Sequence, residues 1–519
     1  MQFLSRRLAR FLVATVGLSL AATRGSAAAT CHSTCTAQLV ECKRTCPGGG
    51  QERRDCRVAC AERNNCTAPG ARIRTLAYVV TACREDPQGL YSLAQKLVIR
   101  RGNCDPVTVM EVASPAPLPD PFGSCRLLGG YREGGGAVAV GVFQRMAVLP
   151  DGSGLVFEVT NQVSLVGPAL TPAPPEEGIF FVRADGKSPP RRVGDAGRFP
   201  TLLAVSDPNS DAGPSFGASG NLFVVSPDGR KIAFIDFGPD TEGHEAGQVF
   251  LLDLRSGQRT QLTHQSRGPS GLDAGICCVD FLSRGTIVYY RPVDAQAFQV
   301  ATDGKSPEKA IPPPTLVEGA RIVPQFNVTG ANPKVLYVDF PDRPAVTQVP
   351  GGTGVVELFL IDGHNLVQLT NFGRNDTGGQ SGFITRGRVL FTASANPTGE
   401  NPAEVCQVFS VNEGGGDLRQ LTHLPSDGRP FHGCNDGFEK QCNISHVHVF
   451  LDPITGTVLF GSSCDPFGRN PFGEQLFAMR PDGTGLRQLT SARGMTTDPD
   501  GTIHVELPGP VAYASGGPG

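Results

Sequence analysis

Hydrophobic residues in this chain come in short alternating or continuous runs separated by turn residues, and the run from Leu222 to Thr263 is the clearest. LFVV is apolar, and Pro227-Asp228-Gly229 follows it as a turn in which proline presets φ and glycine accepts φ > 0. KIAFIDF is a second strand, Gln248 to Leu254 a third, and a tight Arg255-Ser256-Gly257 turn leads to a fourth ending at Leu262-Thr263. A single sheet of this kind leaves both faces uncovered, so it requires copies of itself.

The copies are present. GEQLFAMRPDGTGLRQLT ends at Thr490, EVCQVFSVNEGGGDLRQLT at Thr422 and VELFLIDGHNLVQLT at Thr370. The gap between Leu262 and Leu369 is about twice that between Leu369 and Leu421, which predicts a degenerate copy between them, found at Ile276 to Pro314. Its Asp303-Gly304-Lys305-Ser306-Pro307 recurs at Asp185 to Pro189 and marks a further copy from Val142 to Val193. Six units of about four strands each predict an all-β fold, a six-bladed β-propeller.

Ser226 to Phe234 and Gln475 to Thr490 carry the SPDG(R/K)-x-(I/L)-(A/V)-F and R-x-LT features of the TolB-like (PD40, WD40-like) propellers, which the chain resembles over roughly 140–495. The resemblance implies a propeller that works by protein contact in the cell envelope. The α/β domain that precedes the family's propeller is replaced here by a cysteine-rich segment, so a Tol–Pal role does not carry over. The chain has no tryptophan and so no Trp-Asp repeat of true WD40 blades.

The domain reading is a signal peptide at 1–29, a cysteine-rich helical hairpin at 30–70, a small cysteine-containing segment with a proline-rich linker at 71–125, and the propeller at 131–510. Arg6, Arg7 and Arg10 precede an apolar core, Phe11 to Ala22, and small residues up to Ala29 offer a cleavage site. Lipidation of Cys31 competes with this, though Thr30 is a poor residue to precede a lipidated cysteine. No other apolar run approaches membrane-spanning length. The expected location is periplasmic or secreted.

Sixteen cysteines in such a chain read as disulfides. Cys31, Cys35, Cys42 and Cys46 fall on one helical stripe, and Cys56 and Cys60 lie one turn apart on a second helix. A stapled helical hairpin follows, a module preceding the propeller that is small, disulfide-rich and partly helical, with the connectivity open. Further on, Leu97–Arg100 and Val107–Val112 read as a hairpin, and Cys83, Cys104 and Cys125 could tie the segment down. Ser114 to Pro121 is either a linker or a rigid strap. The tail strand, Thr502 to Leu507, is expected to pair with the first blade or to sit beside its entrance.

Candidate chemistry is sparse, and no catalytic or cofactor-binding residue is assigned. Gly213-Pro214-Ser215-Phe216-Gly217 matches a nucleophile-elbow pattern but lacks the strand-to-helix context that the elbow needs. His432, His446 and His448, with Cys434 and Cys442, form the densest set of potential ligands. They read either as a divalent-metal site at the channel mouth, as in the oligogalacturonate lyases, or as a Cys434–Cys442 disulfide pinning a loop among ordinary histidines, and the disulfide is favoured. Repeated Asp-Gly pairs at Asp151, Asp185, Asp228, Asp303 and Asp482 read as turn chemistry, not calcium ligation. A net charge of −3 points to no nucleic-acid surface. The expectation is a monomeric, non-enzymatic module that binds a protein or small ligand; the alternative is a metal-dependent, lyase-like enzyme acting on saccharide.

Overall fold

In a computed structural model, the described residues are 44–46, 75–101, 105–113, 118–119, 125, 143–160, 176–197, 223–266, 276–291, 296–311, 323–327, 334–339, 357–362, 365–372, 380–385, 387–426, 444, 450–452, 457–468 and 475–513. They form thirty strands, β1 to β30, in a β-propeller arrangement. Six antiparallel four-stranded sheets correspond to the six repeats: blade I (β5–β8, 143–194), II (β9–β12, 223–261), III (β13–β16, 277–311), IV (β17–β20, 323–368), V (β21–β24, 380–420) and VI (β25–β28, 450–488).

A further sheet joins the two ends of the chain. It runs in the order β29 (Gly494–Thr497), β30 (Ile503–Tyr513), β1 (Thr75–Glu85), β2 (Leu90–Arg101), β3 (Val107–Ala113), with β4 (Leu118–Pro119) also on β2. Ala77, Val79, Leu97 and Ile99 pack with Phe143, Leu155 and Phe157 of blade I. Leu76, Tyr78 and Val98 pack with Leu459, Leu476 and Ala478 of blade VI. The terminal sheet therefore fills the space between the first and last blades.

The β2–β3 hairpin is as the sequence predicts, with Ile99 opposite Val107. The tail strand does close the fold, but its partner is not blade I. It pairs along β1 from Leu76 opposite Tyr513 to Glu85 opposite Ile503, and it only lies beside β5 (Phe143–Val148). Eleven residues of β1 offer a longer ladder than the six of β5. Cys83 is bonded to Cys125, which buries with Leu93, Ile503 and Val505. The Leu118–Pro119 part of the proline-rich stretch runs along β2.

The repeated motifs are hydrogen-bond devices. The Ser226 hydroxyl accepts the Lys231 amide at 2.9 Å and donates to Asp228 at 2.7 Å, while Gly229 turns at φ 70°. Asp151, Asp185, Asp228, Asp303 and Asp482 each accept the amide two residues on, the turn role read from sequence. The terminal Thr of Gln-Leu-Thr is clipped to a glutamine in the third strand of its blade. The Thr263 hydroxyl donates to Gln248 and accepts the Val249 amide, and Gln248 also takes the Gln265 amide. Thr422 with Gln407, and Thr490 with Gln475, repeat this. In blade IV, Glu357 stands in the glutamine's place, and Thr370 still accepts the Leu358 amide.

Blades also dock through a glycine in the turn between their third and fourth strands. A Cβ at Gly415 would meet the Gln368 carbonyl oxygen of blade IV at 2.7 Å, and one at Gly483 the Leu421 carbonyl oxygen beyond blade V at 2.6 Å. Gly399 has a similar φ, 79° against 84° at Gly483, with nothing within 4 Å. Gly399→Ala should therefore cost only the left-handed backbone penalty, about 1–2 kcal/mol. Gly483→Ala should cost at least twice as much in a denaturant titration, because backbone meets backbone. Equal losses would show that the close approach contributes nothing.

Candidate functional site: a charged seam of blades I to III

Strand direction sorts the connections by face. Links between first and second strands, and between third and fourth, are short; the longest span residues such as 184–190 and 302–308. Links between second and third strands, and between blades, start and end at the opposite face and include 160–177, 195–222, 340–356 and 421–449. Both ends of the described ring lie at the short-turn face: the Thr75 hydroxyl donates to the Gly152 carbonyl at 2.6 Å, and Leu76 faces Tyr513.

The repeat supplies an internal control for what is unusual. In five blades an aromatic residue of the second strand pairs with one of the third: Phe157–Phe180, Phe234–Phe250, Tyr289–Phe298, Phe391–Phe409 and Phe460–Phe477, with centroids 5.5–5.9 Å apart. Two residues further along the second strand, blades I, V and VI carry Val159, Ala393 and Ser462. Blades II, III and IV carry Asp236, Arg291 and Asp339 there. Below the aromatic pair, blades V and VI place Leu418 and Leu486 where register puts Arg259 in blade II and Glu308 in blade III. Blades II and III thus hold oppositely signed pairs where blades V and VI place small or apolar residues at both positions, and blade IV shares the acidic residue of blade II through Asp339.

Between blades I and II the charges form a closed network. Arg145 on β5 and Glu158 on β6 (Gly154–Val159) are 3.3 Å apart, each side chain 2% exposed. Arg145 also donates to the Ile235 carbonyl at 2.9 Å, and Glu158 accepts the Gly197 amide. Across the seam, Asp236 accepts from Arg259, whose guanidinium lies 4.0 Å from the Phe250 centroid. Burial raises the Glu158 carboxyl above its ordinary value, against the pull of Arg145 and the Gly197 amide, with Asp236 adding to the rise. Between blades II and III, Gln265 donates to Tyr289 at 3.1 Å and to Glu308 at 2.6 Å. Tyr289 donates to Glu308 as well, and Arg291 to Gln265.

These contacts tie the seam groups of blades I, II and III to one another. Among the described residues no group of three or more His, Cys, Asp and Glu is arranged to hold a metal. His432, His446, His448, Cys434, Cys442 and the Gly213–Gly217 pattern lie outside the described residues. Of the N-terminal cysteines only Cys46 is described; it is buried and disulfide-bonded, while Cys31, Cys35, Cys42, Cys56 and Cys60 lie outside. Cys406 and Cys464 are buried and disulfide-bonded. His264 and His423 are exposed at equivalent positions beside Gln261 and Gln420, as a repeat-surface position requires.

Asp280, on β13 (Cys277–Ser283), was not singled out from the sequence. Its only hydrogen bond among the described residues comes from the adjoining Phe281 amide at 2.7 Å, and desolvation pushes its carboxyl up to about 7. A carboxyl raised on folding favours the native state while protonated, and that advantage is lost as pH rises from the unfolded value near ~4 to about 7. Asp280→Asn should therefore melt above wild type at pH 8 and alongside it near pH 4. A difference that stays constant across that range would contradict the assignment.

No family model matches the chain, and no curated protein matches it. Among solved structures it is similar to the β-propeller domain of the Trilobed protease from Pyrococcus furiosus, at 12% identity and a TM-score of 0.41, over 80% of this chain and 94% of that one. It is similar to an acylaminoacyl peptidase from Pyrococcus horikoshii at 11% identity and 0.41, over 80% of this chain and 53% of the peptidase. An oligogalacturonate lyase from Vibrio parahaemolyticus follows at 14% and 0.36, over 53% of this chain and 67% of the lyase.

Proposed function

We propose that this chain is an exported, non-enzymatic binding module of TolB-like type that contacts a protein or small ligand through its long-connector face. One observation supports the reading: the strand ends that bound the longer links lie at one face, and the described ends of the ring lie at the other. An N-terminal cysteine-rich anchor or adaptor would join the ring through Thr75, at the short-turn face. The basic-then-apolar N-terminus supports export, and the Cys83–Cys125 bridge supports an oxidising compartment.

The test is a capture experiment on envelope extracts with the full chain. Replacing 198–222, which leaves the Gly197 amide on Glu158, with a short Gly/Ser linker should abolish capture of whatever the wild type retains, with little change in melting. Glutamate at Arg480, in a turn of the opposite face, should leave capture intact. The reverse pattern would sink the proposal. So would a stoichiometric transition metal in purified protein that disappears on His446→Ala and His448→Ala, the result expected of a metal-dependent enzyme.

A further inference from the structure

Charge is sorted between the two ends of the blades. At the short-turn ends of blades I to III, Lys187, Arg230, Arg255, Arg284, Lys305 and Lys309 are exposed. Among the described residues none of the six has a carboxylate within ion-pair distance. The turns that carry them touch from blade to blade. Arg191 of blade I reaches the Leu254 carbonyl in the blade II turn at 3.5 Å, and a Cβ at Gly257 would meet the Val193 carbonyl at 3.1 Å. One at Gly304 of blade III would meet the Thr260 side chain of blade II at 3.2 Å. The six cations therefore stand on one continuous surface.

The aspartates of the same turns offset this layer only in part, because their short side chains fold back onto the backbone. Asp228 accepts the Arg230 amide, Asp253 those of Arg255 and Ser256, and Asp303 those of Lys305 and Ser306. Arginine and lysine carry their charge on longer stems, so the cations form the outer layer. The connector end has the opposite sign. Glu176, Asp195, Glu242, Glu245, Glu400 and Asp498 are exposed there, at strand ends or in the links. The net charge of the chain is −3, so the positive face is a product of the fold and not of an overall basic composition.

We propose that the short-turn face of blades I to III lies against an anionic phospholipid surface. The links that form this face are short, so its cations lie at similar height and can meet a planar array of headgroups together. Attraction to such a surface adds up residue by residue. The exposed acids of the connector end are repelled, which fixes the face that turns to the lipid. Thr75 brings the N-terminal side of the chain to the same face, so an anchor carried there acts in the same direction. The connector face then points away from the membrane, and the lipid contact does not depend on what that face binds.

The test is flotation of the full chain with vesicles of phosphatidylcholine alone or mixed with phosphatidylglycerol. At low salt, wild type should bind the mixed vesicles at least ~10-fold more tightly than the neutral ones, and high salt should remove the preference. Arg230→Gln/Arg255→Gln should weaken binding to the mixed vesicles by roughly tenfold or more. It should melt like wild type, since both side chains are exposed and outside any ion pair. Arg84→Gln/Arg493→Gln removes the same charge from the connector end and should bind like wild type. Equal losses in the two variants would mean that only total charge matters, and would overturn the proposal. So would equal binding to neutral and mixed vesicles. Tighter binding to soluble polyglutamate than to mixed vesicles at matched charge would overturn it as well, in favour of an acidic protein partner.

Discussion

Truncation after Thr490 should abolish cooperative folding or lower the melting temperature by at least ~10 °C. The deletion removes β29 and β30 and exposes β1 along its length, from Leu76 to Glu85. It also strips Ile503 and Val505 from the core around the Cys83–Cys125 bridge. An eleven-residue unpaired edge invites intermolecular pairing as well. A synthetic peptide covering 494–513, added in trans, should restore much of the loss if the ladder is the cause. A truncated chain that melts like the full one would show that the ring does not rely on its closing strand.

Arg145→Met should be the most destabilising single substitution in the blade I–II seam. It leaves the Glu158 and Asp236 carboxylates buried with one cation fewer, and breaking a buried pair in this way costs about 3–5 kcal/mol. Adding Glu158→Gln should recover a large part of that cost, because the carboxylate that loses its partner is gone. The single variant should also regain stability relative to wild type at acid pH, as Glu158, already raised by burial, takes up a proton. A small loss, or one that Glu158→Gln does not relieve, would mean that the charges are solvated and hold nothing together.

The sequence read well where the fold is local. Strands within a blade are joined by turns of a few residues, so their pattern, their Asp-Gly turns and their Gln-Leu-Thr endings all appear in one window. The degenerate third blade was found from spacing, and the β2–β3 hairpin from Gly102 to Pro106 between two alternating runs. The β1–β30 pairing could not be read in this way. It joins residues more than 400 positions apart, and no motif marks either strand. The charged seam was hidden for another reason. Asp236 sits in KIAFIDF as an ordinary alternating polar residue, and only the register shows that Ala393 and Ser462 take its place elsewhere. Aligning the repeats by their aromatic pairs would have exposed it.

Hydrogen exchange of the wild-type amides tests the closed ring most directly. If the terminal sheet seals the space between blades I and VI, amides of 76–85 and 503–513 should be protected together and open with the same free energy as the inner strands of the blades. Rapid exchange of 503–513 while 76–85 stays protected would contradict the closure on which the fold and the placement of its two faces depend.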